Sequence, residues 1–280
     1  MKTQEINNNK VNEHKKNKKR KKNFKRLFFW IKFILITALL VTTIVLLALS
    51  PLFNITRVEV KGSQRYEQGD IISTSGVIIG NNGFKTIGSN IKNFFTFRYG
   101  NAEEEILKTY PYIKSVIVRF IVPGKVRISI TERKPEAVVE SVTSNLIIDN
   151  EAYVLETIGK KVIKGMPLIK GLKFSSFEIG KSLNIADSGA YKDAFRLINQ
   201  VKELDNKGGE KLYNHIYSID VADRQKIRAS IDSRITVNFG NLNFLEYRLD
   251  FCKHILFTKL GKEDKGYLDM TTEKPSFTPG

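Results

Sequence analysis

The chain is poor in the residues from which most catalytic and metal centres are built. Its 280 residues include one cysteine, Cys252, and three histidines, His14, His215 and His254. A lone cysteine excludes an intramolecular disulfide, so any part outside the cell has to be stable through its core alone. His254 shares a predicted helix with Cys252, but positions two apart point to different helix faces, which argues against a Cys/His dyad. Cys252 falls with Leu245, Leu249 and Leu256 on a broad apolar face and reads as a buried structural thiol. No nucleophile with an orienting base and no metal-ligand cluster stands out. Gly80-Asn81-Asn82-Gly83 lacks the spacing and the lysine-threonine ending of a phosphate loop. The pairs Glu103-Glu104 and Glu263-Asp264 lie at a helix start and in a loop, as solvated charge does. The expectation is a protein that is not an enzyme, with no cofactor and no metal.

Charge is absent from one further place. Phe33 to Leu49 holds no ionisable residue and no helix breaker. Extended back through Leu27, Phe28, Phe29, Trp30 and Ile31, with Lys32 reaching toward headgroups, the segment makes a helix of roughly 34 Å against a hydrocarbon core of about 30 Å. It is long enough to span once. Ala48 and Ser50 have the separation of a signal-peptidase site, but the apolar run is long for a signal peptide and Pro51 would follow the cut. A retained anchor over 27–50 is therefore expected.

What the chain has in excess is positive charge. Residues 1–26 carry eleven Lys or Arg against Glu5 and Glu13, which accounts for +9 of the net +17 and leaves +8 for the rest. Pro51 to Val60 holds one Arg and one Glu, so the bias places the N-terminus in the cytoplasm and residues 51–280 outside. Clustered lysine is also a footprint of nucleic-acid binding, but the tail has no interleaved aromatics except Phe24 and sits directly at an anionic leaflet. Residues 1–26 read as a basic, disordered cytoplasmic tail, and nucleic acid is not an expected partner.

The remaining 230 or so residues suit two domains better than one. A β-branched run, Ile55 to Lys61, ends at Gly62. Glu67 to Ser75 reads as a short helix closed by Gly76, and Ala102 to Tyr110 as another, with Glu103, Glu104 and Glu105 in its first turn and Pro111 ending it. Strands follow at Ile113 to Phe120 and Lys125 to Glu132, the second alternating Val126, Ile128 and Ile130 against polar residues. The order is β-α-α-β-β. The loop from Val77 to Gly100 carries Phe84, Phe94, Phe95, Phe97 and Tyr99, which either tuck into the core, lie near the bilayer or form an exposed contact patch.

That order after a single anchor, with Pro111-Tyr112-Ile113-Lys114-Ser115-Val116, Arg119-Phe120-Ile121-Val122-Pro123-Gly124 and Ile128-Ser129-Ile130-Thr131-Glu132-Arg133-Lys134-Pro135, resembles the POTRA domain of the FtsQ/DivIB cell-division family. The Glu-Arg-Lys-Pro ending is the most specific phrase, and Pro135 has to leave the sheet. The resemblance covers nearly the whole chain. Asn145 to Glu156 reads as two strands about a turn at Asp149 to Glu151, where the family often has glycine and this chain has none. Met166 to Gly171 is a short proline-glycine segment, and Ser188 to Leu204 an amphipathic helix with Ser188 as N-cap. Strands are expected at Ile216 to Val221, Lys226 to Ile231 and Arg234 to Phe239, then a helix over Leu242 to Leu260 and a last strand, Gly266 to Met270.

The fold class expected is α+β: a transmembrane helix, a POTRA domain over 51–135, and a β-rich domain with flanking helices over 136–280. The resemblance implies a divisome scaffold, concentrated at the septum, that couples septal peptidoglycan synthases to the division ring through extracytoplasmic contacts. It implies FtsB/DivIC-like and FtsL-like partners, with a partner strand added beside Tyr267, Leu268, Asp269 and Met270 and with Phe277 in the segment beyond. An edge strand offers unpaired N–H and C=O groups for affinity, and alternate side chains choose the partner. Two rivals remain. A tethered envelope enzyme would show convergent polar groups around His215 or His254. A POTRA-bearing transport or chaperone component would carry alternating barrel segments after the POTRA, and none is seen.

Overall fold

A computed structural model of the chain describes residues 28–88 and 90–280; the basic tail, His14 and Leu27 lie outside the described residues. The apolar segment is one helix, α1 (Phe28–Ala48), of 21 residues. At 1.5 Å per residue it is about 31 Å long, close to the thickness of a hydrocarbon core. Its hydroxyls are satisfied within the helix: Thr37, Thr42 and Thr43 each donate to the carbonyl four residues back, at 2.8, 2.8 and 2.9 Å. No threonine hydroxyl is left to demand water inside a bilayer.

Two compact units follow from the contacts. One takes in the chain up to Glu59 with Gly76–Asn101 and Ile117–Ile128; the other holds Val60–Ser75, Ala102–Val116 and Ser129–Gly280. The first elements beyond α1 are β1 (Arg57–Lys61), α2 (Gln68–Thr74), α3 (Ile91–Thr96), α4 (Gly100–Thr109), β2 (Ile113–Ile121) and β3 (Lys125–Glu132). The strands form a sheet ordered β1-β3-β2. The expected order is present with one addition, the short helix α3 inside the aromatic loop. Alternation holds as read on β3, where Val126, Ile128 and Ile130 are buried, and β2 alternates too, burying Val116, Val118 and Phe120.

Within the first unit the aromatic loop divides. Phe84 is the hub, with ring centroids 5.2 Å from Phe53, 5.7 Å from Phe97 and 5.2 Å from Phe120. Tyr99 is buried and its hydroxyl donates to the Gly83 carbonyl at 2.6 Å. Gly83 has no room for a side chain, because a Cβ there would stand 2.2 Å from the Phe120 ring. Phe94 and Phe95 remain exposed.

The second unit is built on a nine-stranded mixed sheet ordered β12-β11-β10-β9-β8-β7-β4-β5-β6. Its strands are β4 (Ala137–Val139), β5 (Asn145–Ile148), β6 (Val154–Ile158), β7 (Leu168–Lys170), β8 (Ile216–Asp220), β9 (Ile227–Ile231), β10 (Ile235–Gly240), β11 (Gly266–Asp269) and β12 (Ser276–Pro279). Helices α5 (Ser188–Asn206) and α6 (Leu245–His254) pack into the main core, α5 through Ala194, Leu197, Ile198 and Val201. The opposite face of β4, β5, β6 and β7 buries Val138, Ile147, Leu155 and Leu168 against Tyr112. Strands covered on both faces carry continuous apolar runs, hence Leu146-Ile147-Ile148.

Several expectations are corrected. β4 and β7 were not anticipated, because three-residue strands carry no periodicity. The α5 N-cap is Asp187, whose carboxylate accepts the Gly189 and Ala190 N–H groups at 2.8 and 3.2 Å, and Ser188 is the first helical residue. The last helix is shorter than Leu242 to Leu260: Leu242 and Phe244 have φ of 60° and 53°, so α6 starts at Leu245. Past His254, Ile255–Lys259 widens into a π turn, in which the Leu260 N–H reaches the Ile255 carbonyl at 3.1 Å.

The Glu-Arg-Lys-Pro phrase has a physical role in this unit. Glu132 accepts the Gln64 and Arg65 N–H groups at 2.9 and 3.0 Å, closing the turn after β1. Arg133 lies 3.6 Å over the Tyr153 ring and donates to Asp149 at 2.5 Å and to Glu151 at 2.9 Å. The other oxygen of Asp149 accepts the Glu151 and Tyr153 N–H groups at 2.8 and 3.0 Å, forming the β5–β6 turn. Ala152 takes φ 58° in that turn, where glycine would be the ordinary choice.

The Asp149 side chain is only 3% exposed, so its charge depends on Arg133. Arg133→Met should cost about 3 kcal/mol in urea unfolding of the detergent-solubilised chain. Arg133→Met/Asp149→Asn should lose less than the single change, because no bare charge is left behind. Lys114→Met removes an exposed ion pair to Glu151, 2.6 Å long, and should move the urea midpoint far less than Arg133→Met. The Glu151 carboxyl is held below its ordinary value by the hydrogen bond from Lys114 and then that from Arg133. Its contribution is therefore present at neutral pH and is lost as pH falls through the lowered folded-state value, which the urea midpoint against pH will follow.

Candidate functional site

Of the residues expected beside a partner strand, Tyr267, Leu268 and Asp269 lie in β11 and Met270 directly follows it, and the alternation is clear. Leu268 and Met270 are buried in the main core, while Tyr267 is exposed on the other face. On one side β11 runs parallel to β10, pairing Thr236 with Tyr267 and Val237 with Leu268. On the other it runs antiparallel to β12, pairing Tyr267 with Thr278, Leu268 with Phe277 and Asp269 with Ser276. Gly266 to Met270 is therefore not the last strand and not the edge. That position belongs to β12, and among the described residues no strand pairs with its outer side.

The side chains explain why β12 sits there. Phe277 is partly buried against the main core, opposite Leu268. At Gly266 a Cβ would stand 2.2 Å from the Thr278 carbonyl oxygen, so only glycine lets the two backbones approach. Pro279 lies on the outermost strand, where a missing N–H costs no sheet bond. The Asp269 carboxylate accepts the Thr271 N–H at 2.8 Å and the Thr271 hydroxyl at 2.7 Å, which ends β11 in a turn. Of the five residues singled out from sequence, two are core, one shapes a turn, Tyr267 is exposed and Phe277 belongs to the edge strand.

The other edge of the sheet is met by its own chain only at the start of β6. At the start of β6, Val154 donates to the Lys181 carbonyl and accepts from the Gly180 N–H, both at 2.9 Å, and Leu183 donates to the Ala152 carbonyl at 2.8 Å. The two ends are thus unlike, one bonded by its own chain at its first residue and one ending on a four-residue strand.

The histidines do not converge. His215 Nδ1 lies 2.8 Å from Asp232, and its ring meets Phe257 edge-on at 5.2 Å. His254 Nδ1 lies 3.2 Å from Thr258 on the wall of a cleft of about 380 Å3 that is also lined by Glu210, Asp250 and Phe257, but not by His215. The Cys252 thiol is fully buried, and burial pushes its pKa up to about 12. Among the described residues no group of three or more His, Cys, Asp or Glu side chains is placed to hold a metal.

The FtsQ-type POTRA domain family matches residues 53–133, the segment that folds into the three-stranded sheet and its helices. The chain is 29% identical to the cell division protein DivIB of Clostridium botulinum (strain Hall) over 239 residues, 82% of this chain and 83% of that protein. It is 31% identical to DivIB of Clostridium tetani over 142 residues, 50% of this chain and 48% of that one. It is 24% identical to the cell division protein FtsQ of Koribacter versatilis over 194 residues, 68% of this chain and 49% of that one.

Over most of its length the chain resembles the FtsQ/DivIB cell-division proteins. It is a cell-division protein with an FtsQ-type POTRA domain, a β-rich region and an N-terminal helix that is a candidate membrane anchor.

Two measurements check the edge and the thiol of this FtsQ/DivIB-like protein. Gly266→Val should dislodge β12 and raise hydrogen exchange in Tyr267 to Asp269 at least tenfold, while α5 amides keep their protection. Cys252 should resist a maleimide reagent in the native chain at mildly alkaline pH and react fully in denaturant.

Proposed function

We propose that this protein is a bitopic scaffold of the division machinery. Its N-terminus lies in the cytoplasm, α1 crosses the membrane once, and a POTRA domain over 51–135 and a β domain over 136–280 face outward at the septum. It acts by binding and carries no catalysis. Its partners in this reading are FtsB/DivIC-like and FtsL-like single-pass proteins, through which it recruits and couples the septal peptidoglycan synthases.

The observation that carries the reading is the C-terminal sheet edge, a four-residue strand, β12, with no strand paired to its outer side among the described residues. A partner strand adding beyond β12 would satisfy that strand's outer backbone groups and extend the sheet to ten strands. Tyr267 and Asp269, on the face away from the core, would contribute side-chain selectivity. Leu268 and Met270 hold β11 to the core, and Phe277 holds β12.

The test is recovery of partners with the full-length protein from detergent-solubilised membranes, followed by mass spectrometry. FtsL-like and DivIC-like proteins should be recovered. Deletion of residues 274–280 should abolish that recovery, and Tyr267→Glu should reduce it about tenfold, equivalent to about 1.4 kcal/mol, with unchanged circular dichroism. Equal recovery with both variants would remove the C-terminal edge from the reading.

A further inference from the structure

We propose that the exposed face of α3, with the loop that carries it, is a second membrane contact that lies on the outer surface of an anionic phospholipid bilayer. The inference rests on the reading of α1 as a membrane anchor.

The geometry begins where α1 ends. Asn82 donates through its side-chain amide to the carbonyls of Ala48 and Ser50, at 2.9 and 3.1 Å, so the loop is fastened to the last turn of the helix. Around that point the Ile55 N–H reaches the Asn81 carbonyl at 2.8 Å and the Gly83 N–H reaches the Phe53 carbonyl at 2.9 Å. The Phe84 ring then bridges Phe53, five residues past the end of α1, to Phe97, which caps α3 in the left-handed conformation. An anchor that spans the bilayer therefore delivers this loop to the headgroup level.

The surface that arrives there is apolar and cationic. Ile91, Phe94 and Phe95 share one face of α3 by their spacing, and Ile91 and Phe95 are 76% and 77% exposed. Leu52, Ile78 and Ile79, in the segments hydrogen-bonded around Asn82, are exposed as well. Between Gly76 and Asn101 there is no Asp or Glu, while Lys85, Lys92 and Arg98 are present. Aromatic side chains with basic neighbours and no acid are the chemistry of an interfacial segment, which buries rings at the acyl boundary and leaves lysines among phosphates. In solution the same face leaves two phenylalanines and an isoleucine against water.

The protein has one tryptophan, Trp30 in α1, which makes the two readings separable. Full-length protein is placed in lipid nanodiscs of phosphatidylglycerol or of phosphatidylcholine that carry spin-labelled lipid, with the label shallow or deep in the acyl chain. Native Trp30 reports the anchor, and the Trp30→Phe/Phe95→Trp protein reports α3. The α3 fluorophore is expected to shift to the blue and to be quenched more by the shallow than by the deep label. Adding Lys85→Glu and Lys92→Glu, or changing to phosphatidylcholine, should weaken that quenching severalfold. If Trp30 is quenched while the α3 fluorophore stays water-exposed in both lipids, the proposal is overturned and the face belongs to a protein partner. Quenching indifferent to lysine charge and lipid charge would overturn the anionic preference. An unquenched Trp30 would overturn the anchor reading, and this inference with it.

Discussion

A charge held almost out of water has to be neutralised where it stands, and that requirement organises the middle of this chain. Asp149 could not form the β5–β6 turn as a bare carboxylate, since desolvation of an unpaired charge costs several kcal/mol. Arg133 supplies the opposite charge, and Tyr153 offers its ring face to the same guanidinium. With both carboxylate oxygens engaged, the turn accepts Ala152 in a left-handed conformation that alanine by itself disfavours. The residues before Arg133 gain as well, because Glu132 closes the turn after β1 and the Arg133 N–H reaches the Tyr112 carbonyl at 2.7 Å. A phrase that reads in sequence as the end of a strand is therefore a fastening point for three segments.

A long sheet has two edges, and each exposes backbone groups able to pair with another chain. In this protein the segment at Gly180 to Leu183 binds the start of the β6 edge at Val154. The C-terminal edge ends on β12, which is short and ends in proline. An edge that is left open yet kept to four residues suits controlled addition of one partner strand better than indiscriminate association. The observation is structural; its assignment to division partners is the proposed function.

Much of the fold was legible because periodicity in one strand or helix is a local property. β3 alternates without interruption, so its burial pattern follows from the residues alone, and α5 shows its apolar stripe in the same way. The unread elements are those whose identity depends on a neighbour. β4 and β7 are three residues each and become strands only by lying between β5 and β8. Ser188 and Asp187 are both good caps, and only the backbone path decides which one accepts the helix N–H groups. β12 gave no sequence signal beyond a phenylalanine between prolines. Its one indirect trace is Gly266, which cannot carry a side chain because Thr278 crosses it. The strand expected to be the last thus lies one in from the edge, and of the five residues only Phe277 is on the outermost strand.

The aromatic loop shows the same division within a few residues. Its composition indicated that the rings would be either core or surface, and the structure makes them both, with Tyr99 buried, Phe84 half-buried, and Phe94, Phe95 and Phe97 exposed. By itself the sequence determined the apolar length of α1, the charge asymmetry around it, the alternating strands and the family phrases, since each is written in neighbouring residues. The tertiary structure alone decided which strand is the edge, which carboxylate Arg133 neutralises and which aromatics face water, because each depends on groups brought together from distant parts of the chain.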